Sequence, residues 1–80
     1  MDFGWALNVL GHGDRVCRSG WNGKGMYLFM VTGWEITNPD GSPELEKYPF
    51  IAMKTADNKL VPWLASQTDV LANDWDYPEE

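Results

Sequence analysis

Cys17 and His12 are each the only residue of their kind in a chain of 80 residues, and that scarcity limits how the chain can stabilise itself. A folded domain of this size buries only about 60% of the surface its unfolded chain exposes, so small domains commonly lean on disulfides, a structural metal or self-association. One cysteine excludes an internal disulfide framework, and one cysteine with one histidine cannot complete a four-ligand zinc site of those residues. Self-association is what remains, with no metal and no cofactor expected. The length admits a single domain over 1–80, and 44% hydrophobic with 22% charged residues is the balance of a folded chain.

Twelve acidic against six basic side chains give a formal charge of −6. That sign argues against a DNA binder, whose affinity comes largely from neutralising phosphates. No window approaches eighteen apolar residues, and the start of the chain lacks the basic flank and small-residue cleavage site of a signal peptide. No membrane partner is therefore expected, and the cytosol is the expected compartment, which an unpaired cysteine also fits. Five tryptophans, three tyrosines and three phenylalanines are many for this length. A small core, a subunit contact and a ligand-stacking site all use such rings, so abundance alone does not choose between them.

The spacing predicts a short helix over 3–10. Asp2 is placed to cap it, and Phe3, Ala6, Leu7 and Leu10 form its apolar face, with Trp5 and Val9 off that stripe and half exposed. Gly11-His12-Gly13 ends it, and Arg15-Val16-Cys17-Arg18 has the brevity of a first strand. Ser19-Gly20-Trp21-Asn22-Gly23-Lys24-Gly25 is a turn. The apolar run over 26–31 reads as a strand buried on both faces and continuing towards Trp34. Residues 37–48 change to turn formers and mixed charge, which predicts a flexible exposed loop. Segments 50–55 and 59–63 flank Ala56-Asp57-Asn58 as a hairpin, with Pro62 at a strand end or edge. Ser66-Gln67-Thr68-Asp69 resembles a capping box opening a helix over 67–73, and 73–77 can finish as an edge strand. The fold class that results is α+β: a small single domain with an antiparallel β-sheet and short helices near the N- and C-terminal ends.

The glycine-rich turn carries the strongest chemical signal. Glycines let backbone amides approach a phosphate, and Lys24 offers a point charge, yet neither the Walker spacing nor the dinucleotide fingerprint is present. The same turn can equally be a tight connection whose Trp21 fills the core. Trp21 and Trp63 stand beside turns, where an indole can be partly buried and still offer a face to a planar ligand. Trp34 and Trp75 suit the core or a subunit contact. Ser66 and Asp69 are explained by capping, although helix N-termini also bind anions. His12 reads as a solvated turn residue, and Asp74 and Asp76 as a solvated strand face. No catalytic constellation emerges, so no enzyme is expected.

Phe3-Gly4-Trp5-Ala6-Leu7, the Arg15-Val16 pair, Gly20-Trp21-Asn22-Gly23-Lys24-Gly25-Met26, Met53-Lys54-Thr55-Ala56-Asp57, the stretch from Leu60 through Asp69, and Ala72-Asn73-Asp74-Trp75 together resemble the second Thoeris anti-defence family of phages and prophages. The blocks occur in the right order at the right separation. The resemblance implies a sponge: a homo-oligomer, tetrameric, that captures the cyclic ADP-ribose isomer of Thoeris immunity without cleaving it, some members also holding cyclic dinucleotides in separate pockets. By position it implies that Trp21 and Trp63 wall the base and that Asn22 and Gln67 offer amides to polar edges. Lys24 and the backbone at Gly23 would face phosphate, Ser66, Thr68 and Asp69 the ribose hydroxyls, and Phe3 and Met26 would line the same pocket. Trp5 departs from the family pattern, which has a polar or charged residue there; an altered subunit packing or an enlarged apolar pocket wall is the expected consequence. Charge −6 is in tension with a pyrophosphate ligand, and Arg15, Arg18 and Lys24 would have to offset it locally. Two other functions fit the residues, an acidic inhibitor that binds a host defence protein directly and a hydrolase that cleaves the signal.

Overall fold

A computed structural model describes residues 1–21, 24–34, 39–41 and 47–78. Helix α1 spans Phe3–Gly11, and Asp2 caps it by accepting from the Trp5 amide at 2.9 Å. β1 is Cys17–Arg18, β2 Tyr27–Val31, β3 Phe50–Lys54 and β4 Leu60–Pro62, followed by α2 at Gln67–Val70 and β5 at Trp75–Asp76. The strands make two antiparallel sheets, β2-β3-β4 and β1-β5. A single bridge between Val16 and Leu28 joins them. The molecule is thus α+β as expected, its sheet divided in two because β1 leaves β2 after one bridge to pair with β5.

α1 packs against both β2 and β5. Serving two partners rotates its buried arc: Ala6, Val9 and Leu10 are enclosed, while Leu7 is 44% exposed. The expectation that Leu7 would be buried and Val9 half exposed is corrected accordingly. The core consists of Ala6, Val9, Leu10, Val16, Leu28 and Trp75, with Met30, Ile51 and Met53 packed against it. Residues opposite one another in the ladder share a face, so Leu28, Met30, Ile51 and Met53 face this core. Tyr27, Phe29, Val31, Phe50, Leu60 and Pro62 occupy the other face.

Two further boundaries differ from expectation. β2 is not buried on both faces, since only Leu28 is fully enclosed, and it stops at Val31 before Gly33 at φ +65° rather than running to Trp34. One helix can cover only one face of the sheet. Trp34 instead sets its ring edge-on against Phe50 at 5.8 Å and donates its indole N–H to the Tyr48 carbonyl at 3.1 Å. α2 ends at Val70, short of the expected 73. The Asp69 carbonyl, which a continuing helix would offer to residue 73, accepts from the Ala72 amide and from the Trp75 indole at 3.0 Å. Pro62 closes the edge strand β4; the Trp63 amide donates to the Ile51 carbonyl of β3 at 2.9 Å, so position 62 points to the open side, where a missing N–H costs no ladder bond. Of the loop expected over 37–48, residues 37–38 and 42–46 lie outside those described.

Candidate functional site

Trp75 is delivered to the centre of the core by β5 and is 1% exposed. Phe3 meets it from α1 at 5.5 Å between ring centroids, Trp21 edge-on at 5.5 Å and 81°, and Trp63 edge-on at 6.1 Å and 89°. Phe3 and Trp63 also touch each other at 5.9 Å. Such perpendicular pairs place positive ring edges on negative ring faces and contribute about 0.5–1.5 kcal/mol each beyond burial. Trp21 and Trp63 are therefore in one aromatic cluster, each edge-on to Trp75.

A polar network lies beside the cluster. Arg18, on β1, donates Nε to Asp74 Oδ1 and Nη1 to Asp69 Oδ1, both at 2.8 Å. The other Asp74 oxygen accepts the Gly20 amide at 2.9 Å. Asp69 Oδ2 accepts the Ser66 hydroxyl at 2.8 Å and the Ser66 amide at 3.4 Å, while the Asp69 amide donates to Ser66 Oγ at 3.2 Å. This is the reciprocal capping box expected from Ser66 and Asp69. Trp21 Nε1 reaches Asp69 Oδ1 at 3.5 Å, the long end of hydrogen bonding. Asp74 is thus no solvated strand residue; it ties the glycine-rich turn to the segment before β5.

The charges respond accordingly. Asp74 holds the Arg18 guanidinium above its ordinary value, Asp69 adding to the effect, and Arg18 with the Gly20 amide holds the Asp74 carboxyl below its own. For Asp69 burial pushes upward, but Arg18, Ser66 and Trp21 together bring the carboxyl below the ordinary range. Arg18 is therefore committed to two carboxylates. Arg15 sits over the Tyr27 ring at 4.9 Å, and Lys54 approaches the same ring while donating to the Gly25 carbonyl at 2.8 Å.

The far side of Trp21 opens on a cleft of about 520 Å³. It is lined by Cys17, Arg18, Ser19 and Trp21, by Lys24, Gly25 and Met26, and by a wall of Asp76, Tyr77 and Pro78 that continues from β5, the strand paired with β1. This volume lies within the roughly 300–1,000 Å³ typical of small-molecule sites. Trp5 stands behind that wall, edge-on to Tyr77 at 5.1 Å. Gly25 holds φ +75°, a conformation only glycine adopts without strain, and thereby sets Lys24 and Met26 along the cleft. Among the described residues Lys24 has no carboxylate partner, and none forms a cluster able to hold a metal.

Of the residues named from sequence, the cleft unites Trp21, Lys24 and Met26. Phe3 and Trp63 lie behind Trp21 against Trp75, and Ser66, Thr68 and Asp69 form their own hydrogen-bonded group at the start of α2, with Gln67 exposed beside them. Asn22 and Gly23 lie outside the described residues. The Asp76, Tyr77 and Pro78 wall was absent from the sequence reading. Its only sequence signal was the alternation of acids about Trp75, which by itself says nothing about which strand lies opposite.

The Thoeris anti-defense 2-like domain model matches residues 1–77. Thoeris anti-defense 2 of Bacillus phage SP01 is 48% identical over 84 residues, covering 95% of this chain and 92% of that protein. No described helix is long and apolar enough to cross a membrane.

Proposed function

Since the chain belongs to the Thoeris anti-defense 2-like family, we propose that it is a phage anti-defence protein that sequesters a cyclic ADP-ribose isomer intact, acting in the host cytosol. The observation that carries this reading is the cleft beside Trp21. It pairs an indole with the ammonium of Lys24, the two groups a base and a phosphate require. Ser19 and Asp76 add polar groups suited to ribose hydroxyls. Against a charge of −6 the cation available to a phosphate is Lys24, because Arg18 is already occupied by Asp69 and Asp74. Cyclic dinucleotides are a second ligand class of the same chemistry.

Sequestration requires tight binding. A dissociation constant near ~1 nM corresponds to roughly −12 kcal/mol, whereas one stacked base contributes about 1–3 kcal/mol. Contacts from more than one subunit would close that gap, and the sheet face carrying Tyr27, Phe29, Val31, Phe50, Leu60 and Pro62 is the surface on which a second copy would seat. Leu60 is 57% exposed on it. An apolar face of this extent on so small a domain favours association into a homo-oligomer, for which a tetramer is the proposed form.

The test is native mass spectrometry of the purified protein with a cyclic ADP-ribose isomer and, separately, with a panel of cyclic dinucleotides. The expected spectrum is a tetramer carrying ligand of unchanged mass, recovered intact after denaturation. Trp21→Ala is expected to lose the ligand and keep the tetramer. A ligand of altered mass would replace the sponge with a hydrolase. A ligand-free spectrum throughout would leave direct inhibition of a host protein as the better reading.

A further inference from the structure

Arg18 lines the cleft, and a guanidinium beside a proposed phosphate site invites assignment as an anion ligand. Its surroundings argue otherwise. One positive charge faces two carboxylates at 2.8 Å each, so the formal local sum is negative and a phosphate gains little by approaching it. The guanidinium fork instead bridges the capping box of α2, through Asp69, and the segment before β5, through Asp74, in addition to the Trp75 indole bond to the Asp69 carbonyl.

At this junction three amide hydrogen bonds hold the turn that carries Trp21, whose indole also packs edge-on against Trp75. The Ser19 amide donates to the Asp74 carbonyl at 3.1 Å, the Gly20 amide to the Asp74 carboxylate at 2.9 Å, and the Trp21 amide to the Arg18 carbonyl at 3.2 Å. The indole N–H points at Asp69, whose oxygen Arg18 holds in place. Without the guanidinium, two carboxylates would face each other across the gap it fills, and their separation would disturb the two bonds this turn makes to them, from the Gly20 amide and the Trp21 indole.

We propose that Arg18 is a positioning residue for the cleft: clamped between Asp69 and Asp74, it holds the Trp21 indole as a standing wall and leaves anion contact to Lys24. This rests on the cleft being the ligand site. A wall set before binding spares the ordering cost that a mobile indole would incur on each capture. Lysine at 18 would be a poor substitute, because a single ammonium cannot fork between two carboxylates in fixed geometry.

The test reads the unliganded protein first. The indole N–H resonances of the five tryptophans are recorded by nitrogen-15 correlation spectroscopy, with Trp21 assigned through Trp21→Phe. Arg18→Met is expected to shift or broaden the Trp21 resonance while those of Trp5 and Trp34 hold, and Arg18→Lys to fall between Arg18→Met and the parent. Binding of the cyclic ADP-ribose isomer should weaken about tenfold or more in Arg18→Met through lost preorganisation. Its salt dependence should be unchanged, whereas Lys24→Met should reduce the salt slope. If Arg18→Met does not fold, Asp74→Asn serves on the same resonance, removing one carboxylate charge at constant shape. An unmoved Trp21 resonance, with or without loss of binding, overturns the proposal; with loss, it makes Arg18 a direct ligand contact. A displaced resonance in a protein that binds no ligand even unmutated retains the clamp and rejects the ligand reading.

Discussion

Gly20 offers a sharp test of the clamp because its substitution acts on Asp74 alone. A Cβ placed there would lie 2.8 Å from Asp74 Oδ2 and 3.8 Å from Arg18 Nη2. The first distance is below any contact that carbon and oxygen tolerate, and the atom struck is the carboxylate oxygen that accepts the Gly20 amide. Gly20 does not have a positive φ, so alanine suffers no backbone strain and the cost is steric. Pushing the carboxylate aside weakens a hydrogen bond to a charged acceptor, about 1.5–3 kcal/mol, and disturbs the pair with Arg18. Against this, replacing glycine restricts the unfolded chain and returns about 0.4–1 kcal/mol. Asp74's side chain is 31% exposed, which favours the lower values. Gly20→Ala should therefore destabilise by about 1–2 kcal/mol, or roughly 4–16 °C in Tm for a domain of this size. The decisive comparison is the Asp74→Ala background, where the struck oxygen is gone. There Gly20→Ala should stabilise by about 0.4–1 kcal/mol, a reversal of sign. The assay is urea unfolding followed by tryptophan fluorescence at one fixed protomer concentration. Equal cost in both backgrounds, or no cost in either, would refute the placement of Asp74 over Gly20.

Trp75→Ala should cost about 3–5 kcal/mol, since it empties the centre of the core and deprives Phe3, Trp21 and Trp63 of their common partner; loss of the cooperative unfolding transition is the expected readout. Ser66→Ala removes both the cap on the Asp69 amide and the hydroxyl on Oδ2, and a loss of about 1 kcal/mol by urea unfolding is expected. Asp69 and Asp74 have lowered carboxyl values in the fold and regain ordinary ones, about 3.9, when unfolded. Their contribution is thus complete above about pH 4 and disappears as pH falls through the lower folded values, so acid titration of stability should be flatter in Asp74→Asn than in the parent.

How much of this was legible beforehand depended on whether the cause was local. Asp2 and Ser66 announce helix starts because a cap is satisfied by amides two or three residues on, and the hairpin over 50–62 follows from a turn only a few residues long. Leu7 and Val9 were exchanged because the rotation of α1 is set by β5, which joins it from the far end of the chain. The α2 boundary was missed for a related reason: the Trp75 indole takes the carbonyl that would have carried the helix onward. In the site, Trp21, Lys24 and Met26 come together because one turn holds them all, whereas the Asp76, Tyr77 and Pro78 wall depends on the β1-β5 pairing, which no spacing in one sequence specifies. Arg18 was legible as a cation and not as a clamp, since its two acidic partners are more than fifty positions away.

The pairing of Cys17 with Asp76 and Arg18 with Trp75 also has a kinetic meaning. The hairpin of β3 and β4 can form in microseconds from neighbouring residues, but it encloses nothing until Trp75 arrives. Closing that pair confines residues 18–75 in one loop, an entropic cost that must be met before Trp75 gains its contacts with Phe3 and Trp21. Folding should accordingly be slow for so short a polypeptide, with the rate set by a single late encounter between its two ends. Until that encounter the tryptophans remain open to water and to one another on separate chains, so the interval before strand closure is when self-aggregation competes most strongly with folding.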